Sequence, residues 1–533
     1  MKPNNMIKTG LSKWVKTGMA LTMVTGTLAA CSGSNTPSDA ENRVLRIGVL
    51  YGGSDSEPYF RQQYTDIYEY NHPNIKFEIV GAINYEDQRF QSTSPDEPAK
   101  QPDPYEKMKE MMTGQNPVDL VVIDYSMLRK FTQDNLLQPL DPLIAKDKFD
   151  LSDYVPTVID GIKALGDNQV FALTPSFTSS ALYYNKKIFA DLGVEPPTDK
   201  MEWSEVFAKA RQVANGEGED RTFGFMLNRW SSDPYSDVQN YANALQLKMW
   251  DDKAENMMVN SEQWIKATEQ IVSLYDEKIV PNQEFMNQMY EKISNEGGSD
   301  PFYGDLFVQG KVAMMVSDST YVNELKKFSD NAASISNFEM VDWDIVTVPT
   351  SPNNPSAGGN IGLSQLMGIN AKAQNAADAW EFIKFSNSKE WAKLKSRSNY
   401  ELVARKEFLL PVGGMSYNID AFTLLTPLPP ATTNMDNIYS EKPNIWEVSN
   451  IGYQLFENIR DGSKTVAEAM AEWETRGNAI LQGQSESGEG GGVARFSDDE
   501  EAKRKALEAA SGEAEAEPAT EATEETTEQA TTE

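Results

Sequence analysis

Cysteine and histidine are almost absent from this chain of 533 residues, which holds one of each. A single Cys excludes an intrachain disulfide and any zinc site built on several thiolates. A single His, His72, excludes the HExxH pair and other multi-histidine metal sites. Basic residues are scarce beside acidic ones: 48 Lys+Arg face 80 Asp+Glu, a formal net charge of −32. That balance argues against nucleic acid as a partner, because phosphates need Lys and Arg to neutralise them. No P-loop, GxGxxG or GxSxG string occurs, so phosphate-loop, Rossmann and hydrolase-elbow chemistry lack their sequence signal. A Ser-His-Asp triad would have to use His72, which sits in the helix-stopping string Asn71-His72-Pro73-Asn74 and reads as an exposed turn. No metal and no cofactor is expected. Carboxylates are plentiful, so a two-carboxylate glycosidase stays open as an alternative. Hydrophobic residues make up 40% and aromatics 10%, enough for substantial cores, and the length suggests two or more lobes.

The charge is uneven. Residues 1–30 carry four Lys and no acid, and residues 484–533 carry 15 acids against four bases. The first 30 residues read as an export signal, with a basic start and an uncharged stretch from Met19 to Ala30. That stretch is shorter than the roughly 20 apolar residues a membrane span needs. It ends in Leu28-Ala29-Ala30-Cys31-Ser32-Gly33, which resembles the bacterial lipobox. The resemblance implies cleavage before Cys31, a diacylglycerol on its thiol and an acylated, palmitate-type N-terminus. Acyl chains contribute about 0.8 kcal/mol per buried CH₂, so two or three anchor stably. Residues 31–43 then form a flexible leash. Residues 484–533 read as an acidic disordered tail that cannot bury a core; a surface adhesion or scaffold role is the reading that tail raises.

Between these ends, strand and helix patterns alternate. Val44 to Leu50 reads as a strand running into Tyr51-Gly52-Gly53. Glu57 to Tyr70 has helical spacing, and Ile75 to Val80 reads as a strand. Residues 91–104 read as a surface loop, Tyr105 to Met112 as a helix, and Val118 to Ile123 as a buried strand ending at Asp124-Tyr125. Such alternation predicts a parallel sheet with covered faces. Asn185 is placed as the N-cap of a helix starting at Lys186. Gly310 is a turn before an apolar strand. Gly358-Gly359 allows close backbone approach to a ligand, or simply a turn.

Several blocks in order resemble the family-1 extracellular solute-binding proteins of ABC importers, in the carbohydrate-binding branch. They are Pro117 to Val122 with Leu136 to Asp141, Gln169 to Pro175, Ala181 to Phe189, Gly193 to Thr198 with the helix Trp203 to Val213, Phe307 to Met315, Gly358-Gly359-Asn360 with the helix Ala376 to Phe385, and Asp461 to Met470. The resemblance spans about residues 44–483. It implies an α/β, two-lobe, periplasmic-binding-protein-like fold of type II, with discontinuous lobes joined by crossing strands. The crossings are expected near Thr174–Ser180, Asp344–Pro349 and Tyr400–Arg405. Lobe I would comprise 44–175 plus 349–400, and lobe II 176–348 plus 401–483. It also implies a monomeric, lipid-anchored receptor on the outer face of the cell membrane that captures a mono- or oligosaccharide and delivers it to permease subunits, with no catalysis of its own.

Sugars call for flat aromatic faces and for planar polar groups on their hydroxyls. The places to look are the carboxyl ends of strands and the crossing segments. The candidate ligand-binding residues are therefore Tyr51, Gly52, Asp124, Tyr125, Ser176, Phe177, Thr178, Ser317, Asp318, Gly359 and Asn360. Trp230 and Trp446 are the candidate stacking rings. For each aromatic the plain alternative is core packing, and for Asp124 and Asp318 it is helix capping.

Overall fold

The computed structural model describes residues 42–84, 86, 102–230, 233–295, 301–397, 400–430, 438, 441–442 and 444–484. The expected export signal, Cys31, most of the leash, most of the 91–104 loop and the acidic tail from residue 485 lie outside the described residues.

The strands are β1 (Arg43–Tyr51), β2 (Ile75–Ile83), β3 (Leu120–Ile123), β4 (Ala172–Leu173), β5 (Ser176–Phe177), β6 (Ser180–Asn185), β7 (Met314–Asp318), β8 (Trp343–Thr347), β9 (Ala357–Gly358), β10 (Leu366–Ile369), β11 (Leu402–Val403) and β12 (Thr426–Pro427). Five of them form one sheet in the order β2-β1-β3-β10-β4. In β1, Leu45 and Ile47 point into a core shared with Met108, Leu120, Phe131 and Phe382. All four residues of β3 are buried, as a strand covered on both faces requires.

The expectation of a parallel sheet is only partly met. β1 pairs in parallel with β2 and β3, but β10 runs antiparallel to both β3 and β4. The cause is the route of the chain. It leaves this sheet at the carboxyl end of β4 and returns to β10 from that same end, so β10 must run backward.

The second sheet has three strands in the order β7-β6-β8, all antiparallel. Its two faces follow the strand alternation. Leu182 and Tyr184 pack with Phe207, Trp264 and Trp473, whereas Ala181 and Tyr183 pack with Phe307, Met315 and Tyr321. Helix Lys186–Leu192 starts where the Asn185 side chain accepts from the Lys187 and Ile188 amides, at 3.0 and 3.4 Å. Helices Trp446–Arg460 and Val466–Leu481 cover the outer face of this body. The second opens on a reciprocal capping box of Thr465 and Glu468, and the Trp473 indole N–H donates to the Val448 carbonyl at 2.8 Å.

The chain passes between the sheets at one edge. β5 pairs with β11 through Phe177–Leu402 and Ser176–Val403, and the Thr178 and Gly362 backbones bond to each other in both directions at 3.0 Å. β8 still belongs to the three-stranded sheet at Asp344–Thr347, and the chain reaches the five-stranded sheet only at Leu366. No helix among the described residues is long and apolar enough to cross a membrane.

Asp119 ties the first sheet together. Its buried carboxylate accepts from the Arg46 amide at 3.1 Å, and from the Gln374 and Asn375 amides at 2.9 and 2.7 Å. Each hydrogen bond to a charged group contributes about 1.5–3 kcal/mol. Asp119→Ala, which strands three amides, should cost about 3 kcal/mol or more in urea unfolding; a loss below about 1 kcal/mol would contradict this role.

Candidate ligand-binding cleft

A cavity sits where β1, β2 and β3 end. It has a volume of about 680 Å³ and is lined by Tyr51, Gly52, Tyr59, Gln63, Asn84 and Asp124, among others. Its floor depends on two glycines. A Cβ on Gly52 would lie 2.7 Å from the Gly81 Cα, and one on Gly81 would lie 2.6 Å from the Gly52 Cα, so β1 and β2 close up only without side chains there. Among the described residues the lining carries the carboxylates of Glu57, Glu78 and Asp124 and no Lys or Arg. Two of these are already paired: Arg61 lies 2.7 Å from Glu57, and Arg46 lies 3.1 Å from Glu78.

Asp124 differs. It occupies the N-cap position of helix Tyr125–Gln133 but makes no side-chain cap bond. The residue opens to solvent, yet the surrounding walls desolvate its carboxylate and raise its pKa above the ordinary value, with no cation among the described residues to offset them. An acceptor held this way is poised for a donor brought by a ligand.

The second body carries Trp230, Ser317 and Asp318, none of which lines the cavity at the ends of β1–β3. The segment carrying Trp230 runs parallel to β7, with Met226 bridged to Met315. It therefore emerges at the same end as Ser317 and Asp318, where β6 begins after the crossing. Trp230 is 55% exposed. The Arg229 guanidinium lies 4.5 Å from its ring centroid and 4.8 Å from that of Tyr321. Beneath this sandwich the fully buried Asp305 lies 2.8 Å from Arg229 Nε, and Tyr321 donates its hydroxyl to Asp305 at 2.8 Å. Burial and the adjacent Asp305 carboxylate push the Tyr321 pKa well above its usual value. The exposed ring is thus braced from behind.

The remaining candidates are dispersed. Ser176 is buried at the crossing, and its hydroxyl donates to Glu401. Thr178 is exposed, and its backbone is committed to Gly362. Phe177 is fully buried in the core of the first sheet. Tyr125 packs on that core and donates its hydroxyl to the Gly161 carbonyl at 3.2 Å. Asp318 accepts from the Thr320 amide at 2.8 Å and from the Thr320 hydroxyl, so it closes a turn before helix Tyr321–Asn331. Gly359 and Asn360 line a separate cavity of about 150 Å³ with Trp203 and Leu227. The close approach at Gly358 is made by this chain itself, since a Cβ there would lie 2.7 Å from Val348 and 2.8 Å from Leu425. Trp446 opens helix Trp446–Arg460 at 43% exposure and lines none of these cavities. Gln63, Tyr64, Arg229 and Glu401 were not singled out by the sequence; only the neighbour Trp230 hinted at Arg229.

Two lobes, passes of chain at one edge, and a cavity beside them define a binding protein of the periplasmic type. The profile of the bacterial extracellular solute-binding proteins matches residues 59–393. The chain belongs to this family, whose members serve ABC transporters. A binding protein of Brucella abortus is 23% identical over 421 residues, covering 75% of this chain and 86% of that one. A Rhizobium etli sugar transporter in an open conformation superposes with a TM-score of 0.51 at 18% identity, covering 83% of this chain and all of that one. A family-1 extracellular solute-binding protein of Alicyclobacillus acidocaldarius gives a TM-score of 0.51 at 15% identity, over 82% of this chain and 98% of that one. These structures share the two-domain α/β fold.

The raised pKa of Asp124 sets a sign. Folding favours its neutral form, so the ionised form costs stability at neutral pH, and that cost fades as pH falls through the raised folded pKa toward the unfolded value. Asp124→Asn should therefore stabilise the ligand-free protein in urea unfolding at pH 7, with the gain vanishing below about pH 4. A destabilised variant at pH 7 would show that Asp124 has a structural partner instead.

Proposed function

We propose that the chain captures a carbohydrate, mono- or oligosaccharide, between its lobes and hands it to ABC permease subunits. A separate ATPase supplies the energy, and this chain catalyses no reaction. The observation that carries this reading is the cavity at the carboxyl ends of β1–β3, walled by Tyr51, Tyr59 and Asp124, with no Lys or Arg among the described lining residues. Rings suit the C–H faces of a sugar and carboxylates take its hydroxyls, while an anionic solute would meet only like charge. The Rhizobium etli protein of the same fold is a sugar transporter, which supports the same class of solute here.

In this reading lobe I comprises 44–175 plus 349–400 and lobe II 176–348 plus 401–483. Tyr51, Gly52 and Asp124 bind from lobe I. Trp230, Ser317 and Asp318 bind from lobe II, and Ser176 and Thr178 bind at the crossing. Cys31 carries the lipid that holds the protein, as a monomer, on the outer face of the membrane. Loss of a leader of charge +4 from a chain of −32 leaves −36, a surface that docks on basic permease loops.

Native mass spectrometry of protein purified from its own host should find a retained sugar. Trp230→Ala should weaken binding of that sugar by about tenfold or more. A retained peptide or polyamine would reject the carbohydrate class, and turnover of an oligosaccharide by the pure protein would reject a purely binding role.

A further inference from the structure

Three cavities follow one another along the edge where the chain crosses. The first is the 680 Å³ cavity at the ends of β1–β3. The second, of about 380 Å³, lies over β5 and β11 and shares Gln63 and Tyr64 with the first. The third, of about 290 Å³, shares Glu401 and Val403 with the second and reaches Ser319 and Asn323 beyond β7. They form one groove from the first sheet, across the crossing strands, to the second. Each of the first two already lies within the roughly 300–1,000 Å³ of small-molecule sites. One sugar ring would leave most of the groove empty.

The junction between the first two cavities has a built geometry. Gln63 and Tyr64 lie in a π-helical turn, Arg61–Thr65, inside the longer helix. Single π-turns are rare and recur at functional sites. This one is pinned from below. Arg61 is held by Glu57 and Glu69 at 2.7 and 2.8 Å, and it donates to the Phe77 carbonyl at 2.9 Å. The widened turn therefore presents Gln63 to both cavities in a fixed position.

The second cavity carries a donor, an acceptor and, in Tyr400, a ring that is 81% exposed. Lys395 Nζ donates to the Gln63 backbone carbonyl at 2.9 Å and lies 4.8 Å from the ring centroid of the buried Trp391, which braces it. An ammonium has three hydrogens, so more than one bond is within its capacity. Partial burial lowers the Lys395 pKa, opposed by the nearby Glu401 charge. Glu401 accepts the Ser176 hydroxyl on Oε2, and a carboxylate has room for further donors. This is the equipment that a hydroxyl pair and a C–H face require.

Resting on the carbohydrate reading, we propose that the solute is an oligosaccharide of at least three units, and that Gln63, Lys395 and Glu401 form a subsite for its second unit. The first unit occupies the cavity beside Asp124. The chain then runs over the crossing strands toward Ser319, so that length is recognised as well as ring chemistry.

The test is native mass spectrometry of the full chain mixed with partial acid hydrolysates of starch, xylan and dextran, each spanning monomer to hexamer. Species of three or more units should be retained and monomers should not. Lys395→Met and Glu401→Gln should each weaken retention of trimers by about tenfold or more and shift the retained set to shorter chains. Gln63→Ala, at an exposed position that tolerates truncation, repeats the test should either of the others misfold by circular dichroism. Monomers retained as well as trimers, or a distribution unchanged in the variants, would overturn the subsite while leaving the carbohydrate reading intact. Retention of no sugar of any length would overturn both.

Discussion

The pairing of β5 with β11 is the constraint on which the rest of the molecule depends. It is only two residues long on each strand, Ser176–Phe177 against Leu402–Val403. Phe177 and Val403 are buried, so the pair is anchored by packing as much as by backbone bonds. Beside it the Thr178–Gly362 bridge ties a further pass of chain to the same edge. With the passes gathered there, β10 must run antiparallel to its neighbours, and the carboxyl ends of β1–β3 open toward the second body. Short pairs of this kind offer little resistance to rotation, and closure of the lobes about them is the motion the proposed capture requires.

Electrostatics then decides what the cleft welcomes. The arginines nearest the main cavity are committed: Arg46 to Glu78, and Arg61 to Glu57 and Glu69. Arg229 is held between Asp305 and two rings. Among the described residues lining the main cavity, Asp124 is left with a desolvated carboxylate and no cation beside it. Such a wall costs stability in the empty protein, and a ligand rich in hydroxyl donors offsets that cost. Charged solutes of negative sign gain nothing from it.

Much of this was legible in the sequence, because it is local. The strand Val44 to Leu50, the N-cap at Asn185 and the helix Ala376 to Phe385 follow from residue type and spacing over a few positions. Tyr51, Gly52 and Asp124 line the main cavity, and their place at strand ends can be read without knowing the sheet. Other features depend on contacts far apart in the chain. The direction of β10 depends on where the crossings fall, which no local pattern encodes. The cavity shared by Gln63, Trp391, Lys395 and Glu401 joins segments more than 300 residues apart. The π-turn leaves the helical periodicity of Glu57 to Tyr70 almost unchanged, so nothing in the pattern betrays it. Phe177 and Tyr125 show the reverse case: both lie next to strand ends, yet packing turns their rings into the core.

The central claim is that one solute is held by both bodies and by the strands between them. Hydrogen–deuterium exchange of the full chain, with and without the sugar it retains, tests this most directly. The account predicts simultaneous protection of the segments around residues 49–54, 124, 176–178 and 318, with no change in the far helices Trp446–Arg460 and Val466–Leu481. Protection confined to one body, or absent from the crossing strands, would contradict it.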